Sequence, residues 1–209
     1  MRQETRTPSG ERADRKRRAI VAAARESFVR DGYEAGMDSI AAHAGVSKVT
    51  VYNHFGSKEA LFTAVIGEAL DQALGDTLTE ARARLADTDD IREALTFTAR
   101  AWVRGVTAPA VLALRNLVAG ELRRFPELGH AWQERGPGRF FPVLAEVLSG
   151  LSERGELKVA DVEVAVLQLY ALTLYPHLVY SSYGDQLDPD LAERLITKGV
   201  DMFLSYYRA

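Results

Sequence analysis

Nowhere in this chain do apolar and polar residues alternate at period two over the length of a strand. No hairpin dipeptide lies between β-branched runs, and no internal repeat is visible. Apolar residues instead recur three and four apart, between breaks made by glycine and proline. Such a pattern can bury its apolar stripes only by packing helix on helix, so the expected class is all-α. With 209 residues, 47% of them hydrophobic, the chain can bury a full core, as one large domain or as a small one plus a larger one.

The formal charge of −3 conceals a split. Residues 1–60 hold 11 Lys and Arg against 8 Asp and Glu, a balance of +3, and the remainder carries −6, so a polyanion partner is expected at the N-terminal end. The absence of cysteine excludes a disulfide framework and a thiolate metal site, and it fits a reducing cytoplasm. From Arg2 to Arg18 the chain is polar and arginine-rich, without the apolar stretch of a secretory signal, so export is not expected.

Residues 1 to about 12, with Pro8, Ser9 and Gly10 among alternating charges, read as a flexible arm. A first helix starts near Ala13, carries Ile20, Ala24 and Phe28 on one face, and stops at Asp31-Gly32. Gly36-Met37-Asp38-Ser39 opens a short second helix with Ile40, Ala41 and Ala44 inward, closed by Gly45 where a positive φ is expected. Ser47 caps a third helix from Lys48 to His54, broken at Phe55-Gly56, and Ser57 caps a fourth that keeps helical spacing from Leu61 through Leu74 to about Gly75. The domain reading is therefore an arm, a head over 13–60 and a helical domain over 76–209, whose breaks fall at Asp87-Thr88-Asp89-Asp90, Pro109, Phe125-Pro126, Gly136-Pro137-Gly138, Gly155 and Gly184 to Pro189.

The second and third helices have the parts of a helix-turn-helix. Ile40, Ala41, Ala44, Val46 and Val51 form its small core, Gly45 is the turn, and Ser47 begins the helix that would enter a major groove. Facing outward are Lys48, Val49, Thr50 and Asn53, with Tyr52 and His54 at the flanks. Lys48 suits a phosphate or a guanine edge, the methyls of Val49 and Thr50 suit thymine methyl groups, and Asn53 suits an adenine edge; Tyr52, His54 and Lys58 suit phosphates. Lys48 or His54 alone would fit a merely solvated helix face; the combination points to double-stranded DNA.

The runs Ile40-Ala41 to Gly45-Val46-Ser47-Lys48, Thr50-Val51-Tyr52-Asn53-His54-Phe55 and Ser57-Lys58-Glu59-Ala60-Leu61-Phe62 resemble the signature of the TetR/AcrR family over the first third of the chain. The resemblance implies a DNA-binding head, a cytoplasmic location, a homodimer on a near-palindromic operator, and repression relieved by a small ligand. One departure is that Gly36 stands where the family usually has Ser or Thr, so backbone N–H groups or Ser39 would have to hold the phosphate there.

Residues 162–183 are apolar nearly all round, from Val162 through Leu167, Leu169, Leu174 and Leu178 to Tyr180, and such a helix must be covered on two sides. A membrane span is one solution, but Glu163, Gln168 and His177 interrupt the run and no positive cluster flanks it, so no membrane partner is expected. The other solution is a helix packed on its own core and on a twin subunit, partnered by a last helix from Asp188-Pro189 to Tyr207. That helix has two apolar stripes, Leu191-Leu195-Met202-Tyr206 and Ile196-Val200-Phe203-Tyr207, and Gly199 would let a partner helix approach. The expected dimer face is Leu167, Leu174, Leu178, Leu195, Gly199, Met202, Phe203 and Tyr206. Pro176 removes the hydrogen bond to the Leu172 carbonyl and is expected to kink the helix.

Between head and dimer helices, aromatic and polar residues could line a pocket for a small apolar or cationic effector: Phe97, Trp102, Arg115, Asn116, Glu121, Phe141, Tyr170, Tyr175 and His177. Aromatics at helical spacing also make plain core, and that reading stays open. Leu117-Val118-Ala119-Gly120-Glu121, Arg124-Phe125-Pro126-Glu127-Leu128 and Gly136-Pro137 resemble an AefR-type C-terminal domain, which names no ligand. His43, His54, His130 and His177 are scattered, without a nucleophile elbow, phosphate loop or paired metal-ligand spacing, so neither an enzyme nor a metal or cofactor site is expected. The alternative to an effector-released repressor is a ligand-independent DNA-binding regulator whose C-terminal domain only dimerises.

Overall fold

A computed structural model describes residues 10–86 and 90–209, with the side chains of residues 76–78 and 86 excepted. The arm expected over residues 1–12 lies outside the described residues up to position 9, and the first helix already begins at Glu11. The described residues form helices α1 (Glu11–Asp31), α2 (Met37–His43), α3 (Lys48–Phe55), α4 (Lys58–Ala86), α5 (Ile91–Val106), α6 (Pro109–Glu121), α7 (Glu127–Arg135), α8 (Pro137–Glu153), α9 (Val162–Thr173), α10 (Tyr175–Ser182) and α11 (Pro189–Tyr207). The class is all-α, and the one extended pairing among the described residues is an isolated bridge between Leu157 and Arg208.

Local chemistry accounts for several helix starts. Side-chain oxygens of Ser47, Asp90, Asp161 and Asp188 accept from first-turn N–H groups of α3, α5, α9 and α11, and Pro137 and Pro189 occupy first turns where a missing N–H costs nothing. The fourth helix runs eleven residues beyond the expected stop at Gly75. A helical glycine costs only about 1 kcal/mol, and the buried face continues through Ala81 and Leu85 while Glu80 and Arg84 pair one turn apart at 2.8 Å. Of the expected break at 87–90, residues 87–89 lie outside the described residues, and Asp90 serves as the cap of α5.

The single helix expected over 162–183 is two helices, α9 and α10, bent by 51° at Leu174. Pro176 stands in the first turn of α10, where it has no N–H to return to the Leu172 carbonyl. No single helix among the described residues is long and apolar enough to cross a membrane; only this bent pair reaches the required length and composition, and Ala165, Val166, Leu169, Thr173 and Leu178 within it are buried in the protein.

The chain divides into two compact units, one running to Ala69 and including Ala113–Arg135, the other Leu70–Leu112 with Gly136–Ala209. In the first, Ile20, Ala24 and Phe28 of α1 are fully buried, and the ring of Tyr33 lies 5.2 Å from Phe62 and 4.8 Å from Phe125. Segment 113–135, read from the sequence as part of the C-terminal domain, thus packs with the N-terminal helices; Arg124 adds an ion pair to Glu34 at 3.1 Å.

In the second unit α11 packs on α9 and α5. The stripe Ile196-Val200-Phe203-Tyr207 is buried, whereas Met202 and Tyr206 of the other stripe are 60% and 78% exposed. Gly199, expected to admit a helix of a partner subunit, instead admits α9 of its own chain: a Cβ there would stand 2.6 Å from the Leu172 carbonyl oxygen. Leu174, Leu178 and Phe203 of the expected dimer face are likewise buried in this unit, because α9, α10 and α11 cover one another first. Leu167 is exposed and Leu195 half-buried.

Candidate nucleic-acid interface and a cavity in the second unit

The turn between α2 and α3 is closed by backbone alone. Gly45 has φ +65°, its N–H donates to the Ala42 carbonyl at 3.1 Å, and the Val46 N–H reaches back to Ala41 at 3.0 Å. Val51 is fully buried, like Ile40, and this fixes the rotation of α3. Lys48, Val49, Tyr52 and Asn53 are consequently exposed on its outer face, while Thr50 and His54 are half-buried. The Ser47 hydroxyl oxygen accepts from the Thr50 N–H at 3.1 Å and lies 2.8 Å from the Thr50 hydroxyl, so Thr50 helps to hold the helix start.

The charges around α3 are already engaged. Lys48 Nζ donates to Asp38 Oδ2 at 2.7 Å, an exposed contact that a phosphate can exchange for. Lys58 sits 4.8 Å over the ring of Tyr33, where burial lowers the pKa of its ammonium against the opposing pull of Glu34 and Glu59. Burial, and then the charges of Arg17 and Lys16, hold the His54 imidazole below its usual value. Ser39 is exposed on α2, whose cap Gly36 makes no side-chain hydrogen bond. Arg17 of α1 places its guanidinium 4.9 Å over Phe55, the last residue of α3. Sequence reasoning named no residue of α1 as a contact, although the run Arg15-Lys16-Arg17-Arg18 carried the signal.

The residues read as lining one pocket are divided between the two units. Arg115, Asn116 and Glu121 belong to the first unit. In the second, the Phe97 ring lies under the Arg84 guanidinium at 4.1 Å, Phe141 meets Tyr170 edge to face at 5.4 Å, and Tyr175 is exposed. His177 is buried, which lowers the pKa of its imidazole, and it lines one cavity with Thr107, Ser181 and Asp185; its Nε2 has no hydrogen-bond partner. Trp102 lines a different cavity of about 180 Å³ between α4, α5 and α8, whose wall includes Leu70, Leu85, Phe140, Val143, Leu144 and Val147. Arg82, Arg139 and Asp71 stand among its lining residues. Arg82 pairs with Glu146 at 2.8 Å and Arg139 with Asp71. The apolar spacing of α8 was visible in the sequence, but nothing there tied it to residues 70–85.

Residues 20–65 match the family model of bacterial regulatory proteins of the tetR family, and residues 93–209 match that of the AefR-like transcriptional repressor C-terminal domain. Among solved structures, a TetR-family transcriptional regulator from Mesorhizobium loti is 30% identical with a TM-score of 0.83, the match covering 96% of this chain and 100% of that one. The flavonoid-responsive regulator FrrA is 29% identical with a TM-score of 0.77, over 93% of this chain and 98% of that one. The transcriptional activator FasR of Mycolicibacterium smegmatis is 42% identical over 83 residues, which are 39% of this chain and 36% of FasR, so the match spans about a third of that protein's length. These relatives are transcriptional regulators rather than enzymes.

Proposed function

Since the chain belongs to the TetR family of bacterial DNA-binding transcriptional regulators, we propose that it is a cytoplasmic homodimeric repressor that reads a near-palindromic operator through α3 and leaves it when a small molecule fills the α4–α5–α8 cavity. The observation that carries the reading is the outer face of α3: Lys48, Val49, Tyr52 and Asn53 stand free of the core on a helix held by one buried valine and a glycine turn. Asn53 reads an adenine edge, Val49 and the Thr50 methyl pack on thymine methyl groups, and Ser39, Ser47, Lys48, Tyr52, His54 and Lys58 position the phosphates.

The head is residues 13–60, and the C-terminal helices dimerise through the exposed Leu167, Met202 and Tyr206 with Leu195 at the edge. The cavity supports the effector-responsive reading over one in which those helices only dimerise. The name of FrrA, a regulator responsive to flavonoids, supports the same choice. Release is a population shift, its size set by how much better the ligand binds the DNA-incompetent form. A selection from random duplexes tests the reading: the protein should enrich a two-fold symmetric sequence, and a pool that stays random after repeated rounds would refute it.

A further inference from the structure

We infer that the ligand of the α4–α5–α8 cavity is a small monocarboxylate with a compact apolar body, held at its carboxylate by Arg82 and Arg139. This inference rests on reading the cavity as the effector site. The wall is apolar, with Leu85, Phe140, Val143, Leu144 and Val147 along it, so the body of the ligand must be apolar too. Its size follows from the volume: about 180 Å³ compares with the roughly 150 Å³ engineered cavity that holds benzene, which leaves room for one ring with a short substituent.

The charge follows from what the lining offers. Two guanidiniums are among the lining residues, and each is paired with one carboxylate, Arg82 with Glu146 and Arg139 with Asp71. Among the described residues Arg82 uses only Nη2 on Glu146, and Arg139 only Nη1 on Asp71, so most of the five N–H donors of each guanidinium are left for a ligand. The hydroxyls of Thr79 and Thr98 already donate to the Gly75 and Ala94 carbonyls and have no hydrogen for an acceptor. The donors that remain among the described residues are the two guanidinium forks and the Trp102 indole N–H, which is buried without a hydrogen-bond partner, and the group that fits the forks is a carboxylate. Both arginines are about half exposed, so the carboxylate binds without being fully stripped of water. A cationic ligand would find the Asp71 and Glu146 carboxylates already engaged by arginines.

The test is calorimetric titration of the full chain with three probes of one shape: 4-ethylbenzoate, the neutral 4-ethylbenzamide and the cationic 4-ethylbenzylammonium. The benzoate should bind about tenfold or more tightly than the amide, as one charge-assisted hydrogen bond implies, and the ammonium should bind least. Arg82→Gln and Arg139→Gln should each remove most of that preference while leaving amide binding unchanged, which also reports that the variants are folded. Equal binding of benzoate and amide, or a preference for the ammonium, overturns the ligand class and leaves the effector cavity standing. If none of the three binds, or if Val143→Phe, which fills the cavity, leaves their binding untouched, the cavity reading falls together with the ligand class.

Discussion

Gly45 sits where no Cβ would touch a neighbour, yet its φ of +65° is one that L side chains adopt at a cost. Gly45→Ala is accordingly expected to lose about 1 kcal/mol by backbone strain alone, measured by denaturant unfolding at unchanged m-value. Asn53 is exposed on α3, and Asn53→Ala should cost about 1–3 kcal/mol of discrimination at one base pair of each half-site, read by competition between single-base operator variants. His177 is buried with its pKa below the ordinary 6.5. As pH falls past that value the unfolded chain takes up a proton that the folded one resists, so stability should drop on acidification and be regained on return to neutrality. His177→Leu should flatten that slope in thermal melts between about pH 7 and pH 5. At this level the sequence was legible wherever the chemistry was local: the Ser47 cap, the Gly45 turn and the buried Val51 follow from neighbours a few positions away. Lys48 on Asp38, Arg17 on Phe55 and Lys58 on Tyr33 were not, because each joins residues on different elements whose approach no spacing encodes.

Among the helices, α9 and α11 show how an apolar pattern can be right in kind and ambiguous in direction. Two stripes on α11 could each have faced the core, and packing chose the one beside Gly199, where α9 comes within contact of the backbone. Gly199→Ala would force the Leu172 carbonyl away and is expected to destabilise the protein by about 1–3 kcal/mol, in contrast to Gly75→Ala in α4, where nothing opposes the added methyl and helix propensity favours it. Thermal denaturation of the two variants should shift in opposite directions. Gly75 marks no end of α4, because the buried positions Ala81 and Leu85 continue the stripe beyond it. One consequence is that a single helix carries Lys58 of the head and, further along, Asp71 and Arg82 of the cavity.

For the molecule as a whole, the repressor reading requires two heads, since one short helix reads too few base pairs to single out an operator. The exposed Met202 and Tyr206 are where the second copy would dock, and Met202→Glu with Tyr206→Glu should yield a folded monomer by sedimentation, with operator affinity reduced by orders of magnitude. The cavity was the least legible feature of all, because its wall is drawn from three stretches of chain, near residues 70–85, 98–102 and 139–147, that only the fold brings together. The most direct measurement is a nuclease footprint on the DNA flanking the protein's own gene, in the presence of excess random duplex. The expected result is two protected half-sites about one helical turn, roughly 34–36 Å, apart, lost in Asn53→Ala at concentrations where the wild type protects fully. Protection no stronger than on the random duplex, or a footprint unchanged by substitution on α3, would contradict the account.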